Sequence, residues 1–160
     1  MSVHTPSFGA AARATTPDLI GTYEFKIGSA RLFKRNKEID GEQVENAVYG
    51  VGYPLTVSRA DDPDDIGLNV YVKQYCHSEK AAGMVKQFLM CANGYDLTPE
   101  GEAEWNESEN ADDQQWTIDL DNDEIGPGWD NIGGGTIAAM CSIKVNDGRK
   151  NQNYRWQVPA

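Results

Sequence analysis

A mainly β domain of five strands, with one helix between the third and fourth, is the fold class that this 160-residue chain predicts. Three observations predict it. Apolar and polar residues alternate through several short stretches, which is the period of a strand. The 16 glycines fall largely in clusters between those stretches and mark turns. One stretch only, residues 78–92, carries helical spacing instead. The length suits a single domain with its own core, and 39% hydrophobic and 24% charged residues fit a globular chain.

Residues 1–19, MSVHTPSFGAAARATTPDL, predict a flexible arm ahead of a single domain over 20–160. The arm has one Arg and no continuous apolar run, so it does not resemble a secretion signal. No apolar run approaches the ~20 residues that span a bilayer.

From Gly21, Tyr23, Phe25 and Ile27 alternate with Glu24 and Lys26, a first strand that Gly28 interrupts with a bulge or bend. Arg31, Phe33, Lys34, Arg35 and Lys37 then form a basic turn, the densest cationic cluster of the chain. The second strand is Ala47 to Val57. Tyr49, Val51, Tyr53, Leu55 and Val57 share one face, and Val48, Gly50, Gly52 and Pro54 leave the other with little bulk. Pro54 lacks an N–H and places that end at an edge or bulge. Residues 58–67 form a loop.

Leu68 to Tyr75 is the third strand, with Leu68, Val70 and Val72 opposite Asn69, Tyr71, Lys73 and Tyr75. In the helix, Ser78 is the cap and Ala81, Val85, Phe88, Leu89 and Ala92 make an apolar stripe, closed by Asn93-Gly94. Residues 95–130 are an acidic insertion, expected as a long loop partly ordered by Trp105, Trp116 and Trp129, with a short strand at 116–120. Thr136 to Val145 is the fourth strand. Asp147-Gly148 supplies a hairpin turn. Arg149 to Val158 returns with Tyr154, Trp156 and Val158 on one face and Asn151, Asn153 and Arg155 on the other. Strand-strand-strand-helix-strand-strand is the order of an OB-like barrel, a partly open Greek key that commonly binds oligonucleotides.

The net charge of −11 argues against a nucleic-acid partner until its distribution is considered. Residues 96–130 hold 13 acids and no base, which leaves 12 of the 25 acids against all 14 bases, a formal +2. Local potential governs binding more than the whole-chain sum. Cys76, Cys91 and Cys141 are widely spaced and fit free thiols in a reducing compartment. Asp119, Asp121 and Asp123 are spaced like the start of a calcium loop, but Glu124 stands where its glycine belongs. There is no phosphate-cradling loop and no nucleophile with a base beside it, so no cofactor, no metal and no enzymatic activity are expected.

The aromatic and basic residues form the stronger pattern. Tyr71, Lys73 and Tyr75 share a strand face. Arg31, Phe33, Lys34, Arg35 and Lys37 follow the first strand, and Arg149, Lys150 and Arg155 lie at the last hairpin. In an OB-like barrel these clusters border one groove, where rings stack on bases and cations neutralise phosphates.

GTYEFKIGSA, VYGVGYPLTV, LNVYVKQY, EKAAGMVKQFLMCA, DEIGPGWDNIGGGTIAAMCSIKV and NDGRKNQNYRW together resemble the small single-stranded-DNA-binding proteins of tailed bacteriophages, over residues 20–158. The resemblance implies non-catalytic coating of single strands in phage replication or recombination, in the cytoplasm of the infected host cell. It implies a groove on Lys34, Arg35, Tyr71, Lys73, Tyr75, Arg149 and Lys150. Replication or recombination proteins are implied further partners, a homodimer is compatible, and no membrane is involved. Acidic regions in such proteins usually form a C-terminal tail, whereas here the acid is internal. The alternative is a phage protein-interaction module, structural or host-modulating, that works through the acidic Trp-bearing segment.

Overall fold

A computed structural model describes residues 17–160. The arm expected over residues 1–19 lies outside the described residues as far as residue 16. Leu19 is fully buried, and its N–H and carbonyl both bond to the Gln152 carboxamide.

The fold is mainly β and antiparallel. β1 is Gly21–Ile27, β2 Arg31–Ile39, β3 Glu42–Ala60, β4 Asn69–Tyr75, β7 Thr136–Asn146 and β8 Arg149–Gln157. Between β4 and β7 lie α1 (Glu79–Ala92), α2 (Pro99–Glu107), the short ribbon β5 (Ile118–Asp119) and β6 (Glu124–Ile125), and α3 (Pro127–Asn131).

β3 organises the main sheet. Its residues 55–60 pair with β1, its residues 42–52 pair with β2, and residues 50–56 pair with β4 on the opposite edge. β1 continues through β7 to β8. Among the described residues β4 and β8 do not pair, so the expected barrel is an open sheet.

The basic stretch after β1 is a strand and not the expected turn. Arg31–Ile39 makes a hairpin with β3, turned by Asp40 and Gly41, both at positive φ. Charged residues on both parities, Arg31, Arg35 and Lys37 against Lys34 and Glu38, mask its period, and the strand is exposed along most of its length. Gly28 ends β1 as expected, because its backbone runs close against Pro54 and its N–H donates to the Pro54 carbonyl at 2.8 Å. Pro54 is therefore central in the sheet and not at an edge. Its missing N–H faces the break between β1 and β2, where no ladder partner is lost.

The core follows the predicted faces. Tyr23, Phe25 and Ile27 of β1, Val51, Tyr53, Leu55 and Val57 of β3, and Val70 and Val72 of β4 are buried. α1 packs Phe88 between Tyr53 and Trp156, at ring distances of 5.5 and 4.9 Å. Ser78 stands at the helix start but makes no side-chain cap bond. Asp147-Gly148 turns β7 into β8 with positive φ at both residues.

The acidic segment is folded, contrary to the expected long loop. Thr98 caps α2 by accepting from the Gly101 N–H, and Pro99 starts it. A chain of aromatic contacts, Tyr95 to Trp105 to Trp116 to Trp129, runs through the segment at 5.2–6.1 Å. The Tyr53 hydroxyl donates to the Trp129 carbonyl at 2.6 Å and ties this chain to the sheet. The carboxylates stay outside, so the segment buries its rings and solvates its charge.

Candidate nucleic-acid interface

Two glycines set the floor of the site. On the outer face of β3, Gly50 and Gly52 leave space that neighbouring rings occupy. Phe33 of β2 lies over Gly50, and Tyr71 of β4 lies over Gly52. The register makes two rows across three strands: Arg31, Gly52 and Lys73, then Phe33, Gly50 and Tyr75. Directly opposed residues share a face, so the two rows lie side by side.

Phe33 and Tyr75 meet edge to face at 5.3 Å, and the Lys73 ammonium sits 5.3 Å from the Phe33 centroid. Tyr75 also meets His77 at 5.9 Å, and His77 meets Tyr49 at 6.2 Å. Tyr71 is 45% exposed and Tyr75 40%, so nothing in the described chain covers the platform. β4 alternates buried and exposed without a break, as its sequence predicts.

Six of the expected residues thus share this surface: Arg31, Phe33, Arg35, Tyr71, Lys73 and Tyr75. The others do not. Lys34 has the opposite parity. Its ammonium pairs with Asp123 at 2.7 Å and donates to the Leu120 carbonyl at 2.6 Å, so the acidic segment already holds it. Lys37 lies past a register shift, toward the hairpin tip. Arg149 and Lys150 sit at the β7–β8 turn, and Lys150 pairs with Asp18 at 3.6 Å. Arg155 is opposite Met140 on the outside of β7 and β8.

Sequence reasoning missed Lys26, which opposes Thr56 and extends the cationic face. It also missed the platform role of the two glycines, whose alternation with Val51 and Tyr53 was the available signal. The three thiols are poor reactive groups. Burial pushes Cys76 and Cys91 up to about 11 and Cys141 up to about 12, so all three stay protonated at neutral pH. Asp119 accepts hydrogen bonds from the Asn122 side chain and from the backbone of Asn122 and Asp121, which lowers its pKa and closes the β5–β6 turn.

The chain matches no protein-family model, and no curated protein matches it in sequence.

Proposed function

We propose that the outer face of β2, β3 and β4 binds single-stranded DNA, with little sequence preference, in phage DNA replication or recombination. The observation that carries this reading is the pair of rows Arg31–Gly52–Lys73 and Phe33–Gly50–Tyr75. Exposed rings beside cations on a floor without side chains suit bases that stack and phosphates that follow. Strand order supports an OB-like reading: β1 and β2 together act as one bent first strand, and α1 follows the third. The protein then acts by binding and not by catalysis, in the cytoplasm of the infected cell. Replication or recombination proteins, or a second copy of the chain, would be its further partners.

Fluorescence anisotropy with labelled oligothymidine tests the reading. Binding at low salt that weakens steeply as salt rises supports it. No binding at low salt, or equal binding to duplex, rejects it.

A second reading rests on the ordered acidic segment. Glu100, Glu102, Glu104 and Glu107 are exposed on a folded scaffold, and Asp123 already engages Lys34. A basic groove on a partner protein would fit that surface. Replacing Glu100, Glu104 and Glu107 by Gln would abolish such a contact, whereas DNA affinity would stay or rise.

A further inference from the structure

Where the sheet fails to close, β4 and β8 border a cleft of about 500 Å³. Lys73, Gln74 and Met84 line it from one side and Asn151, Asn153 and Trp156 from the other. Two features face this cleft. Gln74 points inward with Val70 and Val72, is 6% exposed, and is the one buried polar residue among those described. Its carboxamide makes no hydrogen bond to any described residue, although its backbone carbonyl accepts from the Cys76 thiol. Its polar atoms open onto the cleft, where the carboxamide is available to a ligand that offers a donor and an acceptor.

The second feature is the strand edge. The Leu68 carbonyl accepts from the Val57 N–H, and the Cys76 N–H donates to the Tyr49 carbonyl. Even-numbered residues of β4 therefore turn their amides toward β3. The amides of Tyr71, Lys73 and Tyr75 turn to the free edge and into the cleft.

We propose that one nucleobase of the bound strand enters this cleft edgewise and hydrogen-bonds to the Gln74 carboxamide. The inference rests on the single-strand reading and adds a base pocket to it. Tyr71, Lys73 and Tyr75 belong both to the stacking face and to the lining of the cleft, so the two surfaces are continuous. A carboxamide presents a donor and an acceptor side by side, which matches the adjacent donor and acceptor on a base edge. An added peptide strand would pair with the edge amides and leave the inward carboxamide unused. A base reaches it.

The test is anisotropy with oligothymidine and with the same oligomer carrying abasic sites, using the whole chain and Gln74→Leu. Leucine has similar bulk and no hydrogen-bonding groups. The pocket predicts about tenfold weaker binding of oligothymidine by Gln74→Leu and unchanged binding of the abasic oligomer. Its melting temperature should not fall, because an unpartnered carboxamide has been removed. Should that variant misfold by circular dichroism, Asn153→Ala on the facing wall gives the same comparison. Wild-type affinity for both oligomers in a folded variant overturns the base pocket and leaves the single-strand reading standing. Failure of the unaltered chain to bind at low salt overturns both.

Discussion

Tyr71 lies across Gly52, so close that a Cβ on the glycine would overlap the tyrosine ring. The two residues are on neighbouring strands, and the glycine exists as the floor on which the ring rests. Gly52→Ala should push the exposed ring off that floor and weaken single-strand binding while the fold persists. Its stability cost should stay within about 1 kcal/mol, because the ring can swing into solvent. Gly50→Ala differs. Its new methyl would meet the Gln74 backbone carbonyl, which cannot swing away. That variant should lose about 1–3 kcal/mol in a thermal or urea melt. Equal melts for the two would contradict the packing described.

The platform itself makes a second prediction. Tyr71→Ala should cost about 1–3 kcal/mol of oligothymidine affinity, the worth of one stacked base. Lys73→Ala should act through charge, lowering the slope of log affinity against log salt by about 0.7. Anisotropy titrations over a salt series separate the two effects. A tyrosine variant that changes only the slope would argue against stacking.

Lys34 and Arg35 are neighbours in sequence but stand on opposite faces of β2. Arg35→Ala should weaken binding and reduce the salt slope. Lys34→Ala should leave DNA affinity nearly unchanged, since its ammonium is bound to Asp123 on the other side. Its stability loss should be below about 1 kcal/mol, as expected for an exposed pair. If Lys34→Ala proves the more damaging of the two in the titration, the assignment of faces is wrong.

Much of this surface was legible in the sequence, because a strand's faces follow from parity. Val70 and Val72 inside, with Tyr71, Lys73 and Tyr75 outside, needed only the alternation. Convergence of Phe33 with Tyr75 also follows from the expected strand order, although the basic stretch is a strand and not a turn. Lys34 and Arg35 were grouped by proximity in the chain, and only a strand assignment would have separated them. The helices of the acidic segment were obscured by composition. Five polar residues of α2 surround one buried ring, Trp105, so no apolar stripe marks it. The signal that was present is Thr98-Pro99 followed by Glu100 and Glu102, a cap, a first-turn proline and acids at the positive end of the dipole. The open seam had no signal, since strand closure depends on sheet curvature that no local pattern encodes.

Tyr53→Phe tests how the acidic segment is fastened. The hydroxyl is buried and donates to the Trp129 carbonyl at 2.6 Å. Removing it leaves a buried carbonyl without a partner, which costs about 1–3 kcal/mol. The loss should appear as a lower melting temperature together with a red shift of tryptophan emission, since Trp105, Trp116 and Trp129 share one packed chain. A full-strength wild-type melt would show that the bond contributes nothing.

Alkaline pH should unfold the protein through its buried acids. Burial raises Cys76 and Cys91 from the ordinary 9.0 to about 11 and Cys141 to about 12. Burial, with the nearby Cys141, raises Tyr154 from 10.0 to about 12. Tyr23 rises to about 12 through burial and then its hydrogen bond to Asp65. The folded chain therefore holds these protons more tightly than the unfolded chain does. Their contribution to stability is complete below about pH 9 and is lost as pH climbs through the folded values toward 12. Urea midpoints should be level with respect to these groups from pH 7 to about 9 and then fall steadily. A thiol reagent at pH 8 should react slowly with the native protein and at once with all three cysteines in denaturant. Rapid native labelling of Cys91 or Cys141, both buried beneath the sheet and helix, would refute the packing.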